Sequence, residues 1–184
     1  MDKYYSQIIA TEIITETGHY AGRVSDVVVD PDTGKVLGFL VGSKRQKIVA
    51  SADILFWNQR VIIHDMSDIF DLEEIIKIEK IVKNNIPIIN NKVVTKSGMQ
   101  LGKVYDFAIH PQLFVLTKVF VTKSFLGVFG YDRKMIAHKN ILEIKKDMII
   151  VKDPVELIPT EEKKANLKPK LRIDIVPSGC SSNH

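Results

Sequence analysis

Ile14-Thr15-Glu16-Thr17-Gly18-His19-Tyr20-Ala21-Gly22-Arg23-Val24-Ser25-Asp26 and, eighty residues on, Val94-Thr95-Lys96-Ser97-Gly98-Met99-Gln100-Leu101-Gly102-Lys103-Val104-Tyr105-Asp106 are two versions of one pattern. Thr15/Thr95, Gly18/Gly98, Gly22/Gly102, Val24/Val104 and Asp26/Asp106 are identical, and the same offset carries on to Pro31/Pro111 and Val41/Val121. The later halves align as well, Ile48-Val49-Ala50 with Met135-Ile136-Ala137 and Val61-Ile62-Ile63 with Ile149-Ile150-Val151, after a seven-residue insertion in the second copy. A fixed internal period decides architecture before any single residue does. The chain reads as one module of about 65 residues used twice, a size at which each core alone is marginal and packing between copies helps.

Within a copy the signals are those of short strands and turns. Thr17-Gly18 and Ser97-Gly98 punctuate a turn, since glycine reaches positive φ without a Cβ penalty, and Gly22 and Gly102 sit in apolar surroundings where a bulge or close backbone approach is expected. Val24 to Val29 reads as a buried strand ending at Asp30-Pro31-Asp32-Thr33-Gly34, a turn with proline, aspartate and glycine in their usual places, and Val36 to Val41 returns as a hairpin. The second copy has Pro111-Gln112-Leu113 there and lacks the glycine. Ile48 to Ala50, Ile54 to Trp57 and Val61 to His64 add further strands, five or six in all, which points to a small barrel or sandwich. Between the copies, Asp71-Leu72-Glu73-Glu74 resembles a capping box, and an apolar stripe including Leu72, Ile75, Ile76 and Val82 predicts a helix over 71–84 on which both copies pack.

These residues resemble the opening signature of the PRC-barrel family, twice over, and Met135 to Ile141 with Met148 to Val151 resemble its closing strands. The resemblance implies a small, mostly antiparallel β-barrel, found in the cytoplasmic subunit of photosynthetic reaction centres and in the ribosome maturation factor RimM, where it serves binding or assembly. The expected fold is mainly β, two small antiparallel PRC-like β-barrels joined by a short helix. The expected division is a first repeat over 1–66, a helical connector over 67–87, a second repeat over 88–158 and a flexible tail over 159–184.

Composition narrows the function classes. The 184 residues are 45% hydrophobic and 26% charged, an ordinary globular balance, and the net charge of +4 is too small for a dedicated nucleic-acid arm. Cys180 is the single cysteine, which forbids an internal disulfide and a multi-cysteine zinc site. No run of about 18 apolar residues occurs, so no transmembrane segment is expected, and the chain reads as cytoplasmic. Asp26 and Asp106 recur without a second repeating carboxylate or histidine, so their expected work is bonding nearby backbone rather than acid/base or metal chemistry. The spacing of Gly18, Gly22, Gly98 and Gly102 lacks the lysine and helix start of a phosphate loop. Asp30-x-Asp32-x-Gly34 opens like a calcium loop, but Val41 stands where the bidentate glutamate belongs. His19, His64, His110, His138 and His184 show no metal spacing and are expected at surfaces or turns. No enzyme, metal site or cofactor is expected.

The copies differ in one place that matters for partners. The second has Ser124-Phe125-Leu126-Gly127-Val128-Phe129-Gly130-Tyr131-Asp132-Arg133-Lys134 where the first has Gly42 to Lys47. Phe125, Leu126, Phe129 and Tyr131, rimmed by Lys123, Arg133 and Lys134, make a candidate partner site if exposed, or part of a core if folded inward. Charge is uneven too: residues 1–65 hold 7 basic and 8 acidic side chains, and 93–153 hold 10 and 5. Arg133, Lys134, Lys139, Lys145, Lys146 and Lys152 would then offer a basic face. The leading reading is a non-enzymatic adaptor or assembly module binding a protein partner through its second copy. An RNA- or ribosome-associated role is the runner-up, an anionic membrane surface is an open partner class, and small-molecule or metal binding at the cleft between copies is the further alternative.

Overall fold

The computed structural model describes residues 1–44, 46–84, 86–125, 128–153 and 158–159, with side chains left undescribed at 124–125, 128–132 and 158–159. The chain opens with β1 (Lys3–Tyr4) and a single helical turn, α1 (Tyr5–Ile8). The first repeat follows as β2 (Glu12–Thr15), β3 (Tyr20–Val29), β4 (Val36–Val41), β5 (Lys47–Ala50), β6 (Ile54–Trp57), β7 (Val61–Ile63) and β8 (Ile69–Asp71). After the connector helix α2 (Ile76–Asn84) the second repeat supplies β9 (Lys92–Thr95), β10 (Gln100–His110), β11 (Val115–Phe125), β12 (Val128–Ala137), β13 (Ile141–Ile144), β14 (Met148–Val151) and β15 (Ile158–Pro159). The strand orders are β6-β7-β2-β3-β4-β5-β8 and β13-β14-β9-β10-β11-β12-β15, so every strand along the second path is the first-sheet strand advanced by seven, with β1 added beside β10. The fold is mainly β, with two sheet domains. Each is an open path of neighbours, and within each sheet one pair, β2 with β7 and β9 with β14, runs parallel where antiparallel pairing was expected.

The repeat holds at the level of torsions. Gly18 and Gly98 have φ of 87° and 89°, and Gly22 and Gly102 have φ of 140° and 136°. Each tight turn is closed by the preceding threonine: the Thr15 hydroxyl accepts from the His19 N–H and bonds Thr17, both near 3 Å, and Thr95 does the same with Met99 and Ser97. Both threonines are buried, and these bonds satisfy them. The period also reaches upstream of the legible motif. Ala10 and Asn90 are left-handed at 67° and 64°, and both donate to the carbonyl of Val24 or Val104 at 2.8 Å.

Three departures from expectation have local causes. Asp71 does not cap a helix. The Leu72 N–H donates to Gln46 O at 2.7 Å, which holds the chain extended along β5, and a 3-10 turn over Leu72–Glu74 takes the acidic stretch before α2 begins. The buried contacts of α2 are made with the first repeat, Ile78 packing with Val28, Leu40 and Ile48, rather than with both copies. And β1 pairs with β10, Lys3 opposite Ile109 and Tyr4 opposite Ala108, so the first residues of the 1–66 unit lie on the second sheet. Asp2 holds them there, accepting from Thr117 at 2.9 Å and facing Lys118 at 3.0 Å.

A single principal core joins the copies: Ile13, Val36, Phe39 and Trp57 belong to the same cluster as Phe107, Leu116, Val119 and Ile136. Burial of side chains such as Phe39 and Phe107, both almost fully enclosed, contributes roughly 1.5–3 kcal/mol each. The motif glycines set how closely the strands pass. A Cβ on Gly102 would lie 2.2 Å from the Thr122 carbonyl oxygen, whereas one on Gly18 would meet nothing within 4 Å. Gly102→Ala is therefore expected to lose about 3–5 kcal/mol, strain plus a backbone clash, and Gly18→Ala about 1–2 kcal/mol for strain alone. Urea midpoints of the two variants measure the gap.

Candidate functional site

Functional geometry gathers in two places, the seam between the copies and the long hairpin of the second. At the seam the two turn-and-return segments bind each other reciprocally. The Val36 N–H donates to Phe114 O at 2.7 Å and the Leu116 N–H to Gly34 O at 2.8 Å, with Lys35 and Val115 paired antiparallel between them. Val36 and Leu116, like Gly34 and Phe114, are repeat mates, so the seam is isologous, as in a two-fold dimer whose subunits have been fused. Phe114 takes the place of the missing glycine and adopts its φ, 49° against 71°. That conformation is unfavourable for a side chain, and the ring is held by stacking: 5.8 Å from Trp57 at 20°, and 6.3 Å from Phe39. The reverse contact is different. Gly34 leaves room for the His138 ring, whose Nε2 would be 2.3 Å from a Cβ built there.

Asp26 and Asp106 do what their spacing implied. Each follows a one-residue bulge, at Ser25 and Tyr105, and accepts from the next backbone N–H, Val27 at 2.8 Å and Phe107 at 2.9 Å. Each also anchors α1: Tyr5 donates its hydroxyl to Asp26 at 3.1 Å, and Ser6 gives its N–H and hydroxyl to Asp106 at 3.2 and 2.7 Å. One helical turn thereby ties equivalent points of both sheets. Beneath it a cavity of about 350 Å³ is lined by Tyr5, Asp26, Leu40, Val82, Ile88 and Phe107 among others. Asp30, the first residue of the calcium-like loop, is buried and spends its carboxylate on the Asp32 N–H and on Lys77 of α2 at 2.8 Å. Burial pushes its pKa up, but the bonds from Lys77, Asp32 and Thr33 outweigh that and hold it below the usual carboxylate value. Among the described residues no group of three or more His, Cys, Asp or Glu side chains is placed to hold a metal, and no helix is long and apolar enough to cross a membrane.

His19 bonds Thr17 at 2.9 Å and His64 meets Glu16 at 3.1 Å, both exposed, while His138 opens the 3-10 turn His138–Asn140 and is half-buried against Gly34. His184 lies outside the described residues, as do Cys180 and the tail from 160 onward.

The insertion extends β11 and β12 to 11 and 10 residues, where β4 and β5 have 6 and 4. The pairing continues through Ser124 with Phe129 and Phe125 with Val128. Phe125, Phe129 and Tyr131 thus belong to the strands of one long hairpin, their side chains outside the description, and Leu126 with Gly127 falls outside the described residues altogether. Arg133 is exposed, its guanidinium 5.7 Å over the Tyr105 ring, and Lys134 follows half-buried. Lys145 pairs with Glu143 at 3.1 Å. Sequence reading missed the roles of Tyr5, Phe114 and His138. Only Phe114 had a signal, its place at the missing glycine.

Residues 1–76 match the family model of the PRC-barrel domain, and that stretch is one PRC-barrel domain, a non-catalytic module. The matched stretch runs past the expected boundary at 66 and takes in β8 and the turn before α2. No curated protein matches the chain.

Burial lowers the proton affinity of His138 below that of an ordinary histidine. The unfolded chain then takes up the proton first, so the stability this ring contributes is complete above about pH 6.5 and is lost as the pH falls below it. The urea midpoint should therefore drop between pH 7 and pH 5, and His138→Gln should flatten that part of the profile. An unchanged slope in the variant would assign the acid sensitivity to other groups.

Proposed function

We propose that the second half of the chain is a second PRC-like repeat, that each repeat is a small barrel in character, and that the pair forms a non-catalytic adaptor or assembly module. The seven-step correspondence of strand order and the matched torsions at Gly18/Gly98, Gly22/Gly102 and Ala10/Asn90 support the duplication. The family match over 1–76 supports a binding role rather than catalysis. The observation that carries the reading is the asymmetry of one element. The β11–β12 hairpin outgrows β4–β5 while the rest of the topology is kept, and its sequence there is apolar and aromatic. Bulk added to one copy of a symmetric pair is not needed to complete the fold the other copy makes without it. The hairpin is the proposed contact for a protein partner, through Phe125, Leu126, Phe129 and Tyr131, with Arg133 and Lys134 at its base.

Such a patch has the composition of an interface core with a charged rim. Phe125→Ser combined with Phe129→Ser should abolish capture of the native partner from cell extract while the thermal unfolding midpoint stays within about 2 °C of the parent. A lost cooperative melt would place these rings in the core instead. The charge excess of residues 93–153 favours RNA as the second reading. Ribosomal particles that co-purify and are stripped by raised salt would support RNA, and protein partners that survive the salt would support the adaptor.

A further inference from the structure

One cross-strand row separates the two copies more sharply than any other. In the first repeat Glu12 of β2 lies opposite Arg23 of β3 and bonds it at 3.1 Å, while Arg60, just before β7, reaches the same carboxylate at 3.2 Å. Two arginines share one glutamate, so both cations are paired and the three residues carry a net charge of +1. The equivalent row of the second repeat is read from the register: Met148 opposite Lys92, Lys92 opposite Lys103, Lys103 opposite Thr122 and Thr122 opposite Arg133. Lys92 stands at the repeat position of Glu12 and Lys103 at that of Arg23. The ion-paired row has become Met-Lys-Lys-Thr-Arg, crossing five strands with three cations and no carboxylate.

Laterally paired residues project from the same face of a sheet, and Lys92, Lys103 and Arg133 are all exposed. Like charges directly opposite one another cost stability, and among the described residues no carboxylate pairs with Lys92 or Lys103. The first repeat shows that this backbone accepts a glutamate at that place. The row is thus a destabilising choice at a position where a stabilising one fits, and an anion supplied from outside would repay it.

We infer that this face docks on an anionic lipid surface, Lys92, Lys103 and Arg133 meeting headgroup phosphates. Three observations favour a bilayer over a nucleic acid. The cations lie in one line across a sheet face and do not track a groove. The exposed aromatic ring beside them, Tyr105, has the Arg133 guanidinium over one face, which a stacking base would have to displace. And an apolar group stands beside the cations: Met148, at the end of the row next to Lys92, is 37% exposed, as an interface between headgroup and acyl chain requires. The inference shares Arg133 with the hairpin's proposed contact and rests on Lys92 and Lys103, which lie outside it.

The test is co-sedimentation of the full chain with vesicles of phosphatidylcholine containing a quarter phosphatidylglycerol, against pure phosphatidylcholine, at low and high salt. Binding is expected only to the anionic vesicles and only at low salt. Lys92→Glu recreates the pairing of the first repeat, so this variant should melt at the parental temperature or above it, yet bind the anionic vesicles roughly tenfold more weakly. A merely structural row would give the stability gain without the binding loss. Parental binding by Lys92→Glu, equal binding to neutral vesicles, or tight single-stranded RNA binding in a protein that ignores both vesicles would each overturn the inference.

Discussion

Two hydrogen bonds, Val36 N–H to Phe114 O and Leu116 N–H to Gly34 O, carry the relation between the copies. They are the same bond made twice about a pseudo-two-fold axis, and they fix the register in which the two sheets meet. Everything that crosses the seam follows from that register. The Phe114 ring reaches Trp57 and Phe39, His138 fills the space above Gly34, and α1 comes to lie where Tyr5 meets Asp26 and Ser6 meets Asp106. A sheet of short strands with one exposed face has little core of its own. The shared core is the consequence, with side chains of both copies in one cluster.

What was legible in the sequence was what local chemistry alone determines. Gly18 and Gly22 with their partners announce themselves because positive φ and close approach select glycine, and Asp26 with Asp106 because a bulge offers a backbone N–H to a short carboxylate. The tight turn over Thr15 to His19 was visible for the same reason. The hidden features depend on contacts distant in sequence. Ala10 and Asn90 share a left-handed torsion that asparagine favours and alanine does not, so the period seemed to begin at Ile14 when the structure carries it back to the Ile8-Ile9 and Ile88-Ile89 pairs. Phe114 is left-handed because its ring is stacked on the other copy, a cause absent from the flanking sequence. Parallel pairing of β2 with β7 depends on a partner nearly fifty residues away, and the crossing of β1 to the second sheet on one more than a hundred away.

The proposed duplication also explains where function has room to evolve. A two-fold pair needs the seam, the bulges and the turns in both copies, and those are the features whose backbone geometry recurs. Exposed positions away from the seam are not constrained by it, and there the copies have diverged. The ion-paired row of Glu12, Arg23 and Arg60 corresponds by repeat position to the cationic row of Lys92, Lys103 and Arg133, and the short β4–β5 hairpin to the long β11–β12 one. Both differences put charge and apolar sequence on the second copy, leaving the first, which matches the PRC-barrel domain, as the more compact and more neutral scaffold.

The central claim is that the copies fold as one cooperative unit through their seam, and Trp57 makes that measurable. It is the single tryptophan, it lies in the first repeat, and its ring stacks on Phe114 of the second. Equilibrium urea unfolding of the full chain, followed by Trp57 emission and by far-ultraviolet circular dichroism of both sheets, compares one copy with the whole. One shared core predicts superimposable curves with a single midpoint. A tryptophan transition that finishes while a substantial part of the dichroism change is still to come would show two independently folding copies and contradict the account.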